Sequence, residues 1–229
     1  SKNNFLGIGH FHNGSIAVKV IHFKTIDSFE LLWKEKILHA KELRDGIPFE
    51  NTNAYRLIHG EGDNCPGLIV DYYNGVFVIQ AHSIGIHKNI EFIKDAIIDV
   101  YGKKKVIAIY DKSKETLPQE YAHAIDNHYL FGKADVPFEV EENGIKFAIN
   151  WITGQKTGWF FDHRFNRLRL KDYVKNSDPR WGDMEKNNAF GFDSRSGMFG
   201  SQNIKYQDFS EMSKDYFDKI SDQFLGTKG

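Results

Sequence analysis

Apolar and polar positions follow two rhythms along the chain. Residues 5–12 and 15–23 are β-prone runs on either side of Asn13 and Gly14, a pair that supplies the positive φ angles of a tight hairpin turn. From Asp27 the rhythm lengthens: Phe29, Leu32, Trp33, Ile37, Ala40 and Leu43 recur at steps of three or four and predict a helix. Asp27 and Glu30 stand as its capping box, and Gly46 and Pro48 end it. Residues 55–58 predict a short strand, followed by a glycine- and proline-punctuated loop over 60–67. The apolar runs 68–73 and 76–81 meet at Asn74-Gly75 and predict a hairpin with a type I′ turn. Residues 86–101 put Ile90, Ile93, Ile97 and Val100 on one face and stop at Gly102, the pattern of an amphipathic helix. Residues 105–110 predict a strand, and 111–135 read as loop with a short helix near 119–125. Residues 137–140 and 145–151 flank Asn143-Gly144 as a further hairpin, and 159–174 predict a helix with Phe161, Phe165, Leu168 and Tyr173 on its apolar side. Residues 177–203 are rich in Gly, Ser, Asn and Asp without periodicity and read as loop or disorder, whereas 210–225 predict a last helix through Met212, Tyr216, Phe217, Ile220 and Phe224. The fold class is α+β.

Composition narrows the picture. A chain of 229 residues with 41% apolar content buries a core for one domain or two small ones. With 30 basic and 31 acidic side chains the net charge is -1, so no global basic field draws nucleic acid or membrane. The balance is uneven locally: Lys156, Arg164, Arg167, Arg169, Lys171 and Lys175 face only Asp162 and Asp172 within residues 151–177. Cys65 is the single cysteine, which excludes an intrachain disulfide and a CxxC metal site. No apolar run approaches the roughly 20 residues of a membrane span, and the first residues lack the pattern of a signal peptide, so a soluble cytoplasmic protein with no membrane partner is expected.

Chemistry concentrates in the stretch GQKTGWFFDHRFNR, residues 154–167. Two glycines bracket Gln155, Lys156 and Thr157 ahead of a predicted helix, where free N–H groups and the helix dipole favour a carboxylate or phosphate. The aromatics Trp159, Phe160 and Phe161 could stack on a base. The alternative is that Thr157 caps the helix, the aromatics are core and the charges form a solvated face. The spacing is not that of a Walker loop. Glu61 and Asp63 lie beside flexible glycines; paired carboxylates serve acid/base or metal roles, but hydrogen bonding to loop backbone is the favoured reading. His10 and His12 share a strand face without a third ligand at a telling spacing, so no metal is expected. Cys65 has no neighbouring base in sequence to make it a nucleophile and reads as a small loop residue.

The stretches GQKTGWFFDHRFNR, NAYRLIHGEGDNCPGLIVDYY and ENGIKF resemble the bacterial class I SAM-dependent methyltransferases of large-subunit ribosomal RNA that make 5-methylcytosine. The resemblance covers about residues 5–175. It implies residual PUA-like strands in 1–25, a linking helix in 26–52, a central EEHEE-like domain in 53–151 and the first helix of a Rossmann-like methyltransferase domain in 152–176. Residues 177–229 fall outside the pattern as a divergent, partly disordered tail. By the same resemblance Gln155, Lys156, Thr157, Asp162 and Arg164 line the side of S-adenosylmethionine, and Lys156, Arg164, Arg167 and Lys171 contact ribosomal RNA. The family's first PUA strands, its glycine-rich turn for the cofactor and its Pro-containing catalytic loop are missing from the sequence, and catalytic residues are not assignable. The expectation is therefore the RNA-engaging portion of a cytosine-C5 methyltransferase, not catalytically competent alone, with an uncompleted Rossmann-like domain. The alternatives are a working transferase with an unrecognised SAM pocket, or a non-catalytic module that binds a protein. Loss of the covering sheet would expose the apolar side of the 159–174 helix and favour self-association.

Overall fold

Strands β1 (Ile8–Phe11) and β2 (Val18–His22) pair antiparallel as a separate two-stranded ribbon in the computed structural model, which describes residues 4–11 and 16–177. The Asn13-Gly14 turn, the loop reading of the stretch beyond 177 and the helix of 210–225 lie outside the described residues. Helix α1 (Phe29–Asp45) starts at Ser28, not at Asp27. The Ser28 hydroxyl accepts from the Leu31 amide at 3.2 Å while its own backbone is extended, the geometry an N-cap requires. Leu32, Trp33, Ile37 and Ala40 are buried along α1, but the predicted Leu43 is exposed.

Five strands form the central sheet: β3 (Ala54–His59), β4 (Leu68–Tyr73), β5 (Val76–Ala81), β6 (Ala108–Asp111) and β7 (His128–Gly132), in that spatial order. Asn74 and Gly75 both have positive φ, as the predicted hairpin demands. β5 and β6 run parallel, so the chain must cross over between them; every other pair is antiparallel. The crossover carries α2 (Ile84–His87) and α3 (Ile90–Tyr101), where a single helix over 86–101 was predicted. The break falls at Asn89, whose side chain donates to the Gly85 carbonyl at 2.8 Å and accepts from Trp33 Nε1 at 3.1 Å, tying the crossover to α1.

Residues 111–135 are not mainly loop. They hold α4 (Gln119–Ala122) and β7, which closes the sheet on its β6 edge. Gly132 there has a φ of 58°, and a Cβ would lie 2.1 Å from the Ile107 carbonyl, so only glycine lets the two strands approach. Residues 54–132 thus run three strands, helices, two strands. β8 (Phe138–Glu142) and β9 (Ile145–Ile149) form their own hairpin through Asn143 and Gly144, both with positive φ. Helix α5 (Arg164–Ser177) begins five residues later than predicted, because Trp159 turns into the core and a 3-10 turn spans Phe161–His163.

The sheet is covered on both faces. On one side α1 and α3 bury Trp33, Ile37, Leu57, Phe77, Ile93 and Ile97. On the other, Tyr73, Val78 and Tyr110 meet Phe147, Trp151 and Trp159 from the β8–β9 hairpin and the segment after it. The strand alternation delivers this: Leu68, Val70 and Tyr72 of β4 point to the helices, Asp71 and Tyr73 the opposite way.

Arg44 in the last turn of α1 locks the loop after β3. It donates to both oxygens of Asp63 at 2.6 Å, and Asp63 also accepts from the His59 amide at 2.6 Å. Burial pushes the Asp63 carboxyl up, but these hydrogen bonds and the Arg44 charge outweigh it and leave the carboxyl below its ordinary pKa. A lowered folded-state pKa contributes stability that is complete above the unfolded value of about 3.9 and is lost as pH falls through the folded value. Asp63→Asn is expected to lower stability by about 2 kcal/mol at pH 7. In urea titrations from pH 7 to pH 3 it should also show a shallower acid decline than the parent, and an unchanged decline would refute the role of Asp63.

Candidate functional site: a basic cleft on the second sheet face

Asp71 is the polar interruption in the run LIVDYY, and it is fully buried. It sits opposite Arg56 in the β3–β4 register, and the Arg56 guanidinium grips it with two donors at 2.8 and 3.1 Å. Burial works against the Arg56 charge, yet the hydrogen bonds and attraction of Asp71 prevail and raise its pKa above the usual guanidinium range. The Thr157 hydroxyl donates to the same carboxylate, and the Tyr73 hydroxyl donates to the Thr157 carbonyl at 3.2 Å. Through Asp71 and Tyr73, then, the sheet holds the loop that follows β9.

That loop is rigid by construction. Asn150 Oδ1 accepts from the amides of Ile152 and Thr153, both at 3.0 Å, and its carbonyl accepts from the Gly154 amide at 2.9 Å. A Cβ on Gly154 would stand 2.3 Å from that carbonyl. Lys156 adopts a left-handed φ of 51°, and the Gly158 amide donates to the Gln155 carbonyl at 2.8 Å. From β6's end Lys112 reaches under the loop and donates to the carbonyls of Trp151 and Gly154. Burial lowers the pKa of this amine, with Glu115 opposing the shift.

Between the loop and the sheet lies a cleft of about 810 Å³. Its polar floor and walls include Arg56, Gln80, Lys112, Thr153 and Gln155, and Lys19 of β2 and Lys156 contribute further cations. Glu61, Glu115 and His82 complete the charged and titratable lining. Partial burial, then the charges of Lys19 and Arg56, push the His82 imidazole below its ordinary pKa, while Glu61 pulls the other way. Such an arrangement accommodates an anion beside hydrogen-bonding groups. Its position at the carboxyl ends of the parallel strands β5 and β6 is where open α/β sheets place ligands.

The chain is similar to ribosomal RNA large subunit methyltransferases. It is 29% identical over 206 residues to ribosomal RNA large subunit methyltransferase I of Vibrio vulnificus, matching 87% of this chain and 49% of that protein. It is 33% identical over 182 residues to a candidate ribosomal RNA large subunit methyltransferase of Bacillus subtilis, 76% of this chain and 44% of that one. A candidate protein of the same description from Methanocaldococcus jannaschii is 29% identical over 177 residues, with 77% and 43% covered. The chain spans about half the length of the curated relatives it matches. No family model matches it. Among solved structures, a candidate methyltransferase complexed with SAH superimposes with a TM-score of 0.61 at 17% identity, covering 93% of this chain and 62% of that one. A candidate SAM-dependent methyltransferase from Streptococcus mutans gives a TM-score of 0.60 at 16% identity, with the same coverages. These neighbours share the fold.

The structure divides the residues singled out from sequence. Gln155 and Lys156 are exposed and line the cleft, and Lys156 Nζ lies 4.9 Å from the Phe160 ring. Thr157 is fully buried against Asp71. Asp162 is exposed beside His163, outside the cleft lining. Arg164 donates to Asn143 Oδ1 and Thr52 Oγ1 and stacks 4.6 Å over Phe49. Arg167 binds the buried Glu142 carboxylate at 2.7 and 2.9 Å and lies 4.3 Å over Trp159. Lys171 donates to the Asn143 carbonyl at 3.2 Å. These last three clamp α5 to the β8–β9 turn. Of the five residues expected at the methyl donor, the cleft is lined by Gln155 and Lys156, whereas Thr157, Asp162 and Arg164 lie outside its lining.

Asp63 holds its turn, whereas Glu61 faces the cleft. Burial pushes the Cys65 thiol up to about 11, which leaves it protonated and unreactive near neutrality. His10 packs against Gly85, and His12 lies outside the described residues. Among the described residues no three His, Cys, Asp or Glu side chains converge as metal ligands, and no helix is long and apolar enough to cross a membrane. Sequence reading missed Lys19, Arg56, Gln80, His82 and Lys112. A signal existed for Gln80, a polar residue within an otherwise apolar strand run, and Asp71, the partner of Arg56, interrupts its own strand in the same way.

Thr157→Val keeps the shape of the side chain and removes its hydroxyl from Asp71. It is expected to destabilise the protein by about 1–3 kcal/mol, and to speed hydrogen exchange at the Gly154 and Gly158 amides more than at the β4 amides; uniform exchange would argue against a specific tether.

Proposed function

We propose that the chain belongs to a SAM-dependent methyltransferase of large-subunit ribosomal RNA that acts on cytosine C5, and that it supplies the RNA-engaging portion without being catalytically competent alone. In this reading the β1–β2 ribbon is PUA-like and residues 53–151 form the EEHEE-like unit. The stretch 152–176 opens a Rossmann-like domain whose cofactor is S-adenosylmethionine. The observation that carries the proposal is the cleft, where Lys19 and Lys156 bring cations to a hydrogen-bonding floor; the named relatives supply the chemistry. Gln155, Lys156 and Asp162 are the outward members of the set assigned to the cofactor side, with Thr157 and Arg164 holding the segment in place. Of the RNA set, Lys156 meets phosphate directly, and Arg164, Arg167 and Lys171 fix the surface that presents it. The protein is cytoplasmic, and Phe165, 72% exposed on α5, is the residue through which two copies associate.

Phosphate contacts make affinity fall with salt, by roughly 0.7 in log–log slope per contact on a single strand. Fluorescence anisotropy with a large-subunit rRNA fragment is expected to give a slope near −1.4 for the Lys19 and Lys156 contacts, and Lys156→Ala should reduce it by about 0.7. Absence of binding at 50 mM salt would overturn the RNA reading. Calorimetric titration of the chain with S-adenosylmethionine is expected to give no heat at millimolar ligand; saturable heat would favour a complete transferase.

A further inference from the structure

Gln80 is a buried polar residue that lines the cleft. It closes the apolar run VFVIQA, lies on the second sheet face opposite Ile69, and is only 4% exposed, yet it lines the cleft. An amide carries both donor and acceptor on one planar edge, the complement of a nucleobase edge. The same cleft is lined by Thr153 and Gln155 as further hydrogen-bonding groups, by Leu68, Ile69 and Ile152 as apolar residues, and by the imidazole of His82. On the floor, Arg56 is ion-paired with Asp71, and Lys112 spends donors on two loop carbonyls. Two further cations, Lys19 from β2 and Lys156 from the loop, line the cleft away from the floor, the Lys156 ammonium lying beside the Phe160 ring.

We propose that the cleft seats one unpaired RNA nucleotide, with its base edge on the Gln80 amide and its backbone phosphates toward Lys19 and Lys156. The inference rests on the RNA reading above and adds which form of RNA the site takes. A base in an A-form duplex keeps its Watson–Crick edge inside the helix and offers only a deep, narrow major groove and a shallow minor one. A recessed amide cannot meet that edge, whereas a splayed or flipped base can enter and be read there. The volume of about 810 Å³ falls within the roughly 300–1,000 Å³ of small-molecule sites. His82 supplies a ring for stacking, and Glu61 and Glu115 repel phosphate, favouring an orientation with the backbone toward the lysines.

The test uses the whole 229-residue chain and three RNA probes of one sequence: a single strand, a blunt duplex, and a hairpin with an unpaired loop. Fluorescence anisotropy at low salt is expected to give at least about ten-fold tighter binding of the single strand and hairpin loop than of the duplex, in line with about 1.4 kcal/mol per ten-fold. Gln80→Leu should weaken single-strand binding by about five- to ten-fold, leave duplex binding unchanged and leave the salt slope unchanged. Thr153→Val, at an exposed loop position, should weaken the single strand in the same direction and serves if Gln80→Leu melts early. Equal affinity for duplex and single strand, or a Gln80→Leu protein that folds and binds every probe as the parent does, would overturn the nucleotide seat while the RNA reading stands. Failure of all three probes to bind would remove both.

Discussion

A carboxylate buried in the middle of a sheet must be held by other charges and donors, because water cannot reach it. Asp71 meets that demand with two groups from different parts of the chain: Arg56 from the neighbouring strand and Thr157 from a loop 86 residues away in sequence. Arg56 supplies the compensating charge from within the sheet, and Thr157 adds a donor from the loop, so lifting the loop away costs the buried carboxylate one of its hydrogen bonds. Another buried carboxylate, Glu142, repeats the arrangement with Arg167 and the Trp159 indole. Between them the two acids define where the 150–167 segment lies.

The two faces of the sheet have different work because they are covered by different materials. Helices α1 and α3 seal one face with aliphatic and aromatic side chains, and that side carries the folding core. The other face is sealed by a hairpin and an irregular segment, whose backbone groups need partners of their own. Lys112 provides two of those partners by donating to loop carbonyls. Where the covering segment stops short, the ends of β4 and β5 stay open and the cleft begins.

Local patterns were legible where local physics decides. The Asn-Gly pairs at 74–75 and 143–144 mark turns that require positive φ, and the sheet hairpin and the β8–β9 hairpin form at them. The three- to four-residue spacing of α1 and α3 gives their buried faces. Sequence patterns failed where distant partners decide. β7 reads as part of a polar stretch because its residues are half-buried at a sheet edge, and only pairing with β6 makes it a strand. The helix expected from Trp159 starts later because Trp159 is needed between Phe147 and Arg167. In the candidate site, the basic stretch 164–171 was visible as charge, but its partners Glu142, Asn143 and Thr52 lie on other elements. Arg56, Gln80 and Lys112 are far apart in sequence and converge only once the strands pair.

The Gly154–Gly158 loop is divided along its length between positions that face inward and positions that face outward. Gly154, Thr157 and Gly158 are buried and bound to backbone or to Asp71, while Gln155 and Lys156 project from the same few residues without structural duties of that kind. Drift at those two sites alters what the surface prefers while the anchoring residues keep the segment seated. Such a division lets descendants of one ancestor diversify their selectivity and retain an unchanged scaffold beneath it.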